Sequence, residues 1–243
     1  MSSNFRYNTT FDEYLKIWRA NVTDELVSKF FIKFTYYSIK IYDKNLLLHD
    51  INSIFISETF SNPKIKSSIL CRIKNYKEIY EMFFKLSKTN KTKLSIELIK
   101  CFYDILTKNI FTKDTIKKKT LAETYTENSL ILLINNINLQ KSNVNELNII
   151  SKFYCLFFKY SSHLQYCNQE LYKVFINYLL ISKNIPPIFF SDKHAEKYFF
   201  AVSNFNKKKD TSKMYEFLKE EIFTTWISNY NLRLKKLNDI LIE

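Results

Sequence analysis

The chain contains no glycine in 243 residues. Glycine adopts positive φ without a steric penalty, so tight hairpins, bulges and phosphate-cradling loops depend on it. Its absence removes the P-loop and the Rossmann turn together. It also disfavours strand-rich folds and leaves helices joined by Asn, Ser, Thr and Lys. Only three prolines occur, so collagen-like and linker-type readings fall as well. Hydrophobic residues make up 46% and aromatics 17%, which excludes a disordered chain and supplies a large core. The expected fold class is all-α, a bundle of about nine or ten helices. The length suits one domain over 1–243, divided into N-terminal helices (1–60), a core (69–205) and a C-terminal helix (210–243).

The formal net charge is +13, which invites a nucleic-acid reading. Only Arg6, Arg19, Arg72 and Arg233 among the 37 basic residues are arginine, the residue that grips phosphate and guanine with two donors. Lys117–Lys119 and Lys207–Lys209 read as solvated loop runs. Nucleic acid is therefore not the expected partner. Cys71, Cys101, Cys155 and Cys167 make no CxxC pair and no zinc spacing, and Cys101 and Cys155 read as small core residues. The start lacks a basic region followed by an apolar run, and no window holds eighteen uninterrupted apolar residues. The expectation is a reduced, intracellular, cytoplasmic protein with no signal peptide, no membrane span and no metal. His49, His163 and His194 lie too far apart for a metal pair, and His49 and His194 read as surface or cap histidines.

Helical spacing dominates the remainder. Thr10 and Glu13 form a capping box ahead of Ile17 and Trp18. After Thr23 the stripe is Leu26, Phe30, Phe34 and Tyr37. A short helix is predicted over 47–55, a loop over 59–67 and helices over 69–87 and from a Ser95 cap. The polar stretch 111–126 reads as a loop, with a short β-hairpin as one form of it. Further helices are predicted over 127–138, 145–160 and 168–183, the last stopping before Pro186-Pro187. Ser191 caps the next, with Tyr198, Phe199 and Val202 inward, and Ser212 caps the last, which runs past Trp226.

Val174–Val202 (VFINYLLISKNIPPIFFSDKHAEKYFFAV) resembles the segment following the active-site motif of the Fic (Fido-fold) family of protein AMP-transferases. The matching positions are Asn177-Tyr178, Pro186-Pro187-Ile188 and Tyr198 to Ala201. Asp210–Leu218 resembles the family's later helix start. Phe34–Ile51 resembles its inhibitory-helix segment. Arg72–Ile79 (RIKNYKEI) resembles its Glu-x-x-Asn-Tyr-x-x-Ala helix. Ser95–Leu106 and 147–160 resemble the helix that follows and the one entering the motif. The pieces are collinear over about 30–230.

The resemblance places the family motif, His-x-Phe-x-Asp-Gly-Asn-Gly-Arg-x-x-Arg, on Ser162–Lys173 (SHLQYCNQELYK). The base position is then Ser162, the acidic metal-holding position Tyr166, and the Gly-Asn-Gly anion nest Cys167-Asn168-Gln169. The first arginine is Glu170, a charge reversal, and the second is Lys173. Asn168 and Lys173 are the residues left for an anion. Sliding the register by one would make His163 the base, at the cost of a deletion before Asn168. The inhibitory pattern falls on Ser38 to Asp43, with Tyr42 where the clamping glutamate belongs, so clamp and target both read as lost. Tyr166 and Tyr42 are expected to fill space.

The resemblance therefore implies a Fic-like protein with a degenerate site, acting as a protein-binding or regulatory module and needing no cofactor. The partner would be another protein, a Fic substrate or an active relative, and a homodimer is a second form of association. The alternative is a divergent transferase that moves AMP or another phosphate-linked group from ATP with Mg²⁺ onto a protein hydroxyl.

Overall fold

Side-chain caps and helix-breaking turns divide the chain into its helices. Thr23 accepts from Leu26 N, and Ser95 accepts from Leu98 N, which starts two of the predicted helices as expected. Asp50 accepts from Leu47 N and starts a third. The computed structural model describes residues 11–60, 62–88, 94–110, 146–161, 167–190 and 194–228, with five helical positions between 131 and 138. Its helices are α1 (Phe11–Asn21), α2 (Asp24–Ile39), α3 (Leu48–Ser57), α4 (Ser67–Lys88), α5 (Ile96–Thr107), α6 (Glu146–Ser161), α7 (Asn168–Ser182), α8 (Ala195–Lys208) and α9 (Ser212–Phe223). A π-helical turn, Thr224–Ser228, continues α9. No strand occurs among the described residues. Thr10, Ser191, the lysine run at 117–119 and the 111–126 loop lie outside them.

Helix α7 is the axis of the bundle. Leu171, Val174, Phe175, Ile176, Leu179 and Leu180 are all buried, so this helix is apolar over most of its circumference and needs neighbours on several sides. It packs against α4, α5 and α6, while α9 packs on α6 and α8, and α2 on α3 and α4. The Asn-Tyr and Pro-Pro-Ile pieces of the sequence are the joints of this scaffold. Asn177 is fully buried on α7, and its amide both donates to Ile188 O (3.1 Å) and accepts from Ile188 N (2.7 Å). The extended segment after Pro187 is held from the other side by the π-turn. Phe189 N donates to Thr225 Oγ1 (2.9 Å), and Trp226 Nε1 donates to Pro187 O (2.7 Å). Asn75 on α4 does the same work at the end of α5, donating to Leu106 O and Lys108 O. These side chains satisfy backbone groups that no helix ladder reaches.

The N-terminal helix closes on the C-terminal turn. Trp18 and Trp226 lie with ring centroids 4.6 Å apart, and Phe30 stacks on both Trp226 and Phe189. Three residues expected inside are on the surface. Phe199 is exposed, while Tyr198 and Val202 face the core together with Ala201 and Phe205, and Tyr37 and Cys101 are exposed too. In each case the apolar run was wider than the face that its neighbours cover. Ser212 is the first helical residue rather than the cap; Thr211 takes the cap position, and Asp210 accepts from Ser212 N. Lys207 and Lys208 are exposed, as expected, but they form the last turn of α8 rather than a loop.

A chain without glycine must still turn left-handed at helix ends. Glu58 (φ 56°), Asn109 (φ 59°), Asn184 (φ 52°) and Lys209 (φ 58°) do so just past α3, α5, α7 and α8. Asparagine tolerates this conformation, whereas glutamate and lysine are strained there by about 1–2 kcal/mol. Lys209→Gly should therefore raise the unfolding free energy by about 0.5–1 kcal/mol, after the extra entropy of an unfolded glycine is subtracted. Urea denaturation of the two proteins measures it; an unchanged midpoint would remove the strain argument.

Candidate functional site

The motif region enters α7 through Cys167, which stands at positive φ (52°) where the family pattern has a glycine. Its Sγ faces Leu106 O at 3.9 Å, and burial, then Glu170, pushes the thiol up to about 11. This is a packed, inert thiol rather than a nucleophile. One turn into α7, Glu170 is buried. A carboxylate in such a place needs partners. Arg72 of α4 supplies one, with Nη1 at 3.2 Å from Oε1. Tyr42 supplies the other: its hydroxyl donates to the same oxygen. The Arg72 guanidinium also lies 4.2 Å from the centroid of the Tyr42 ring, over its face.

The three residues thus form one closed cluster joining the turn after α2, helix α4 and the start of α7. Burial first, and Glu170 second, hold the Tyr42 hydroxyl above its ordinary value, so it stays a donor. Behind the cluster, burial and then Glu170 raise the hydroxyl of Tyr76, which sits beside Ser38. Ser38 is itself buried, and Asp43 Oδ1 accepts from Asn45 N, so both belong to the turn's internal packing.

Tyr42 does not simply fill space, as the sequence reading had it. The ring is 42% exposed while the hydroxyl points inward to Glu170. The clamping glutamate and its arginine are both absent from the sequence, yet the two positions are in contact. The segment that would carry the inhibitory glutamate still touches the first arginine position, through a phenol on a carboxylate. Lys173 follows one turn on, with its ammonium 5.8 Å from the centroid of the Phe190 ring. Asn168 begins α7. Ser162, His163 and Tyr166 lie outside the described residues. His49 is an exposed histidine 3.4 Å from Ser53 Oγ, as expected. His194 stands at the N-cap position of α8, as expected, but its side chain makes no cap bond: Nδ1 bonds the buried carboxylate of Glu221 on α9.

Arg72 was the residue missed. The family pattern quoted above has glutamate at position 72 and arginine at position 170. Here the two residues carry the opposite charges and pair with each other; the two departures from the quoted pattern, read jointly, were the signal. Among the described residues no cluster of His, Cys, Asp and Glu could hold a metal ion, and no helix is long and apolar enough to cross a membrane.

No family model matches the sequence, and none of the curated proteins matches it either. The solved structures do match. A Fic domain containing signaling protein from Bacteroides thetaiotaomicron superposes with a TM-score of 0.68, at 13% sequence identity, over 86% of this chain and 92% of that one. The chain has a Fic-like fold. At this identity the likeness concerns the path of the helices alone.

Proposed function

We propose that this Fic-like chain has lost nucleotide transfer and serves as a protein-binding or regulatory module. The observation that carries the reading is Glu170. In the resemblance, its position belongs to an arginine that pairs with phosphate; here it is a buried carboxylate already held by Arg72 and Tyr42. A polyphosphate approaching this point would meet negative charge, and Arg72, the nearby cation, is engaged. Cys167 adds a side chain where a phosphate nest needs bare backbone. In this reading the described part of the motif is a poor fit for ATP with Mg²⁺.

Incubation with α-labelled ATP, Mg²⁺ or Mn²⁺ and a cell lysate tests the proposal, alongside calorimetry with ATP. No label on any protein and no heat of binding at millimolar nucleotide are expected. Label transfer that disappears in His163→Ala or Asn168→Ala would establish the divergent transferase instead.

A further inference from the structure

Large apolar side chains are concentrated on one stretch of the surface. Tyr37, Ile41, Tyr42, Leu47 and Leu48 are 39–64% exposed and fall within the last turn of α2, the connection that follows and the start of α3. Tyr37 lies in the last turn of α2 and Ile41 in the turn that follows it; Leu48, Asn52 and Ile56 share a side of α3, and all five are exposed. A soluble monomer seldom gathers so many on one patch without a use for them.

The charges of this stretch are sorted. Both of its carboxylates are turned inward: Asp43 accepts from Asn45 N, and Asp50 accepts from Leu47 N (2.8 Å) and Asn62 Nδ2 (3.0 Å). The cations are left outside or near the surface. Lys44 is exposed, and half-buried Lys40 donates to the carbonyls of Lys44 and Leu46. The face is therefore apolar and basic, on a chain of net charge +13.

Three occupants can be compared. A second copy would bring +13 against +13 and lysine against lysine. An anionic membrane draws on clusters of about four to eight basic residues at roughly 1 kcal/mol each, more than this face offers. A protein segment with a few carboxylates among large apolar residues matches both the charge and the exposed tyrosines, a residue enriched in protein interfaces.

We infer that the face made by the end of α2 and the outer side of α3 docks an acidic, apolar protein segment. The inference rests on the protein-binding reading above and names its surface and the partner's chemistry.

Selection of short random peptides on the full chain tests it. The enriched peptides should combine Asp or Glu with Leu, Phe or Trp. Ile41→Glu and Leu47→Glu should each weaken their binding by about tenfold or more. Both positions are exposed, so helix content should be unchanged, and Phe199→Glu, on an exposed site of α8, should bind as the parent does. Four results would overturn the inference: no enrichment, peptides without carboxylates, indifference to both substitutions, or the same substitutions abolishing self-association in sedimentation or binding to phosphatidylserine vesicles. Label transfer from ATP would strike the loss of nucleotide chemistry alone and leave this surface standing, so the two failures are distinguishable.

Discussion

Arg72→Leu is expected to lower the unfolding free energy by about 3–5 kcal/mol, the effect of stranding a buried carboxylate. The side chains of Arg72 and Glu170 are 14% and 10% exposed, so solvent replaces little of what is lost. The Tyr42 hydroxyl would still donate to Glu170, which places the result toward the lower end of that range. The second half of the experiment separates charge from packing. Arg72→Leu combined with Glu170→Leu removes both ions and should recover most of the loss, because a well-packed apolar pair often equals a buried ion pair. Exchanging the two residues, Arg72→Glu with Glu170→Arg, restores the polarity of the family pattern and should also exceed the single variant. Urea unfolding followed by circular dichroism reads all four proteins. A single variant within about 0.5 kcal/mol of the parent would show that the carboxylate finds water or another partner.

Trp226→Ala should cost about 4–5 kcal/mol, from the emptied ring volume and the abandoned Pro187 carbonyl. The indole is fully buried in the π-turn and touches Trp18 of α1 and Phe30 of α2. Its Nε1 holds the carbonyl that fixes the extended segment after α7. Against a typical total of about 5–15 kcal/mol this loss can leave the chain unfolded. Trp226→Phe keeps an aromatic ring and should cost about 1–2 kcal/mol, mostly for the hydrogen bond. Thermal unfolding of the two variants would order them parent, Phe, Ala; equal midpoints for Phe and Ala would assign the whole effect to the bond.

Much of the bundle was legible because helix formation is local. The caps at Thr23 and Ser95 and the stop before Pro186 involve residues a few positions apart, and the structure keeps each of them. The Asn-Tyr and Pro-Pro-Ile pieces were also readable, and Asn75 and Asn177 explain why: they are scaffold clamps, independent of what the site does. Exposure was less legible. Tyr37 and Phe199 sit at helical spacing, but a sequence does not say which part of a wide apolar stripe a neighbour covers. The cluster around Glu170 was legible only by halves. Glu170 and Arg72 are 98 positions apart, and each alone looks like a damaged motif rather than half of an ion pair. His194 and Glu221 are invisible for the same reason, since the imidazole finds its carboxylate across two helices.

The contact between α1 and the π-turn also gives the molecule an optical property. Trp18 and Trp226 are its only tryptophans, and they touch. Ultraviolet emission from the chain therefore originates mainly at a single seam, where α1 meets the π-turn. Peeling of either end would hydrate both chromophores together and redden their light, while rearrangements elsewhere would leave it nearly unaltered. The protein thus carries a built-in gauge of whether that seam is shut.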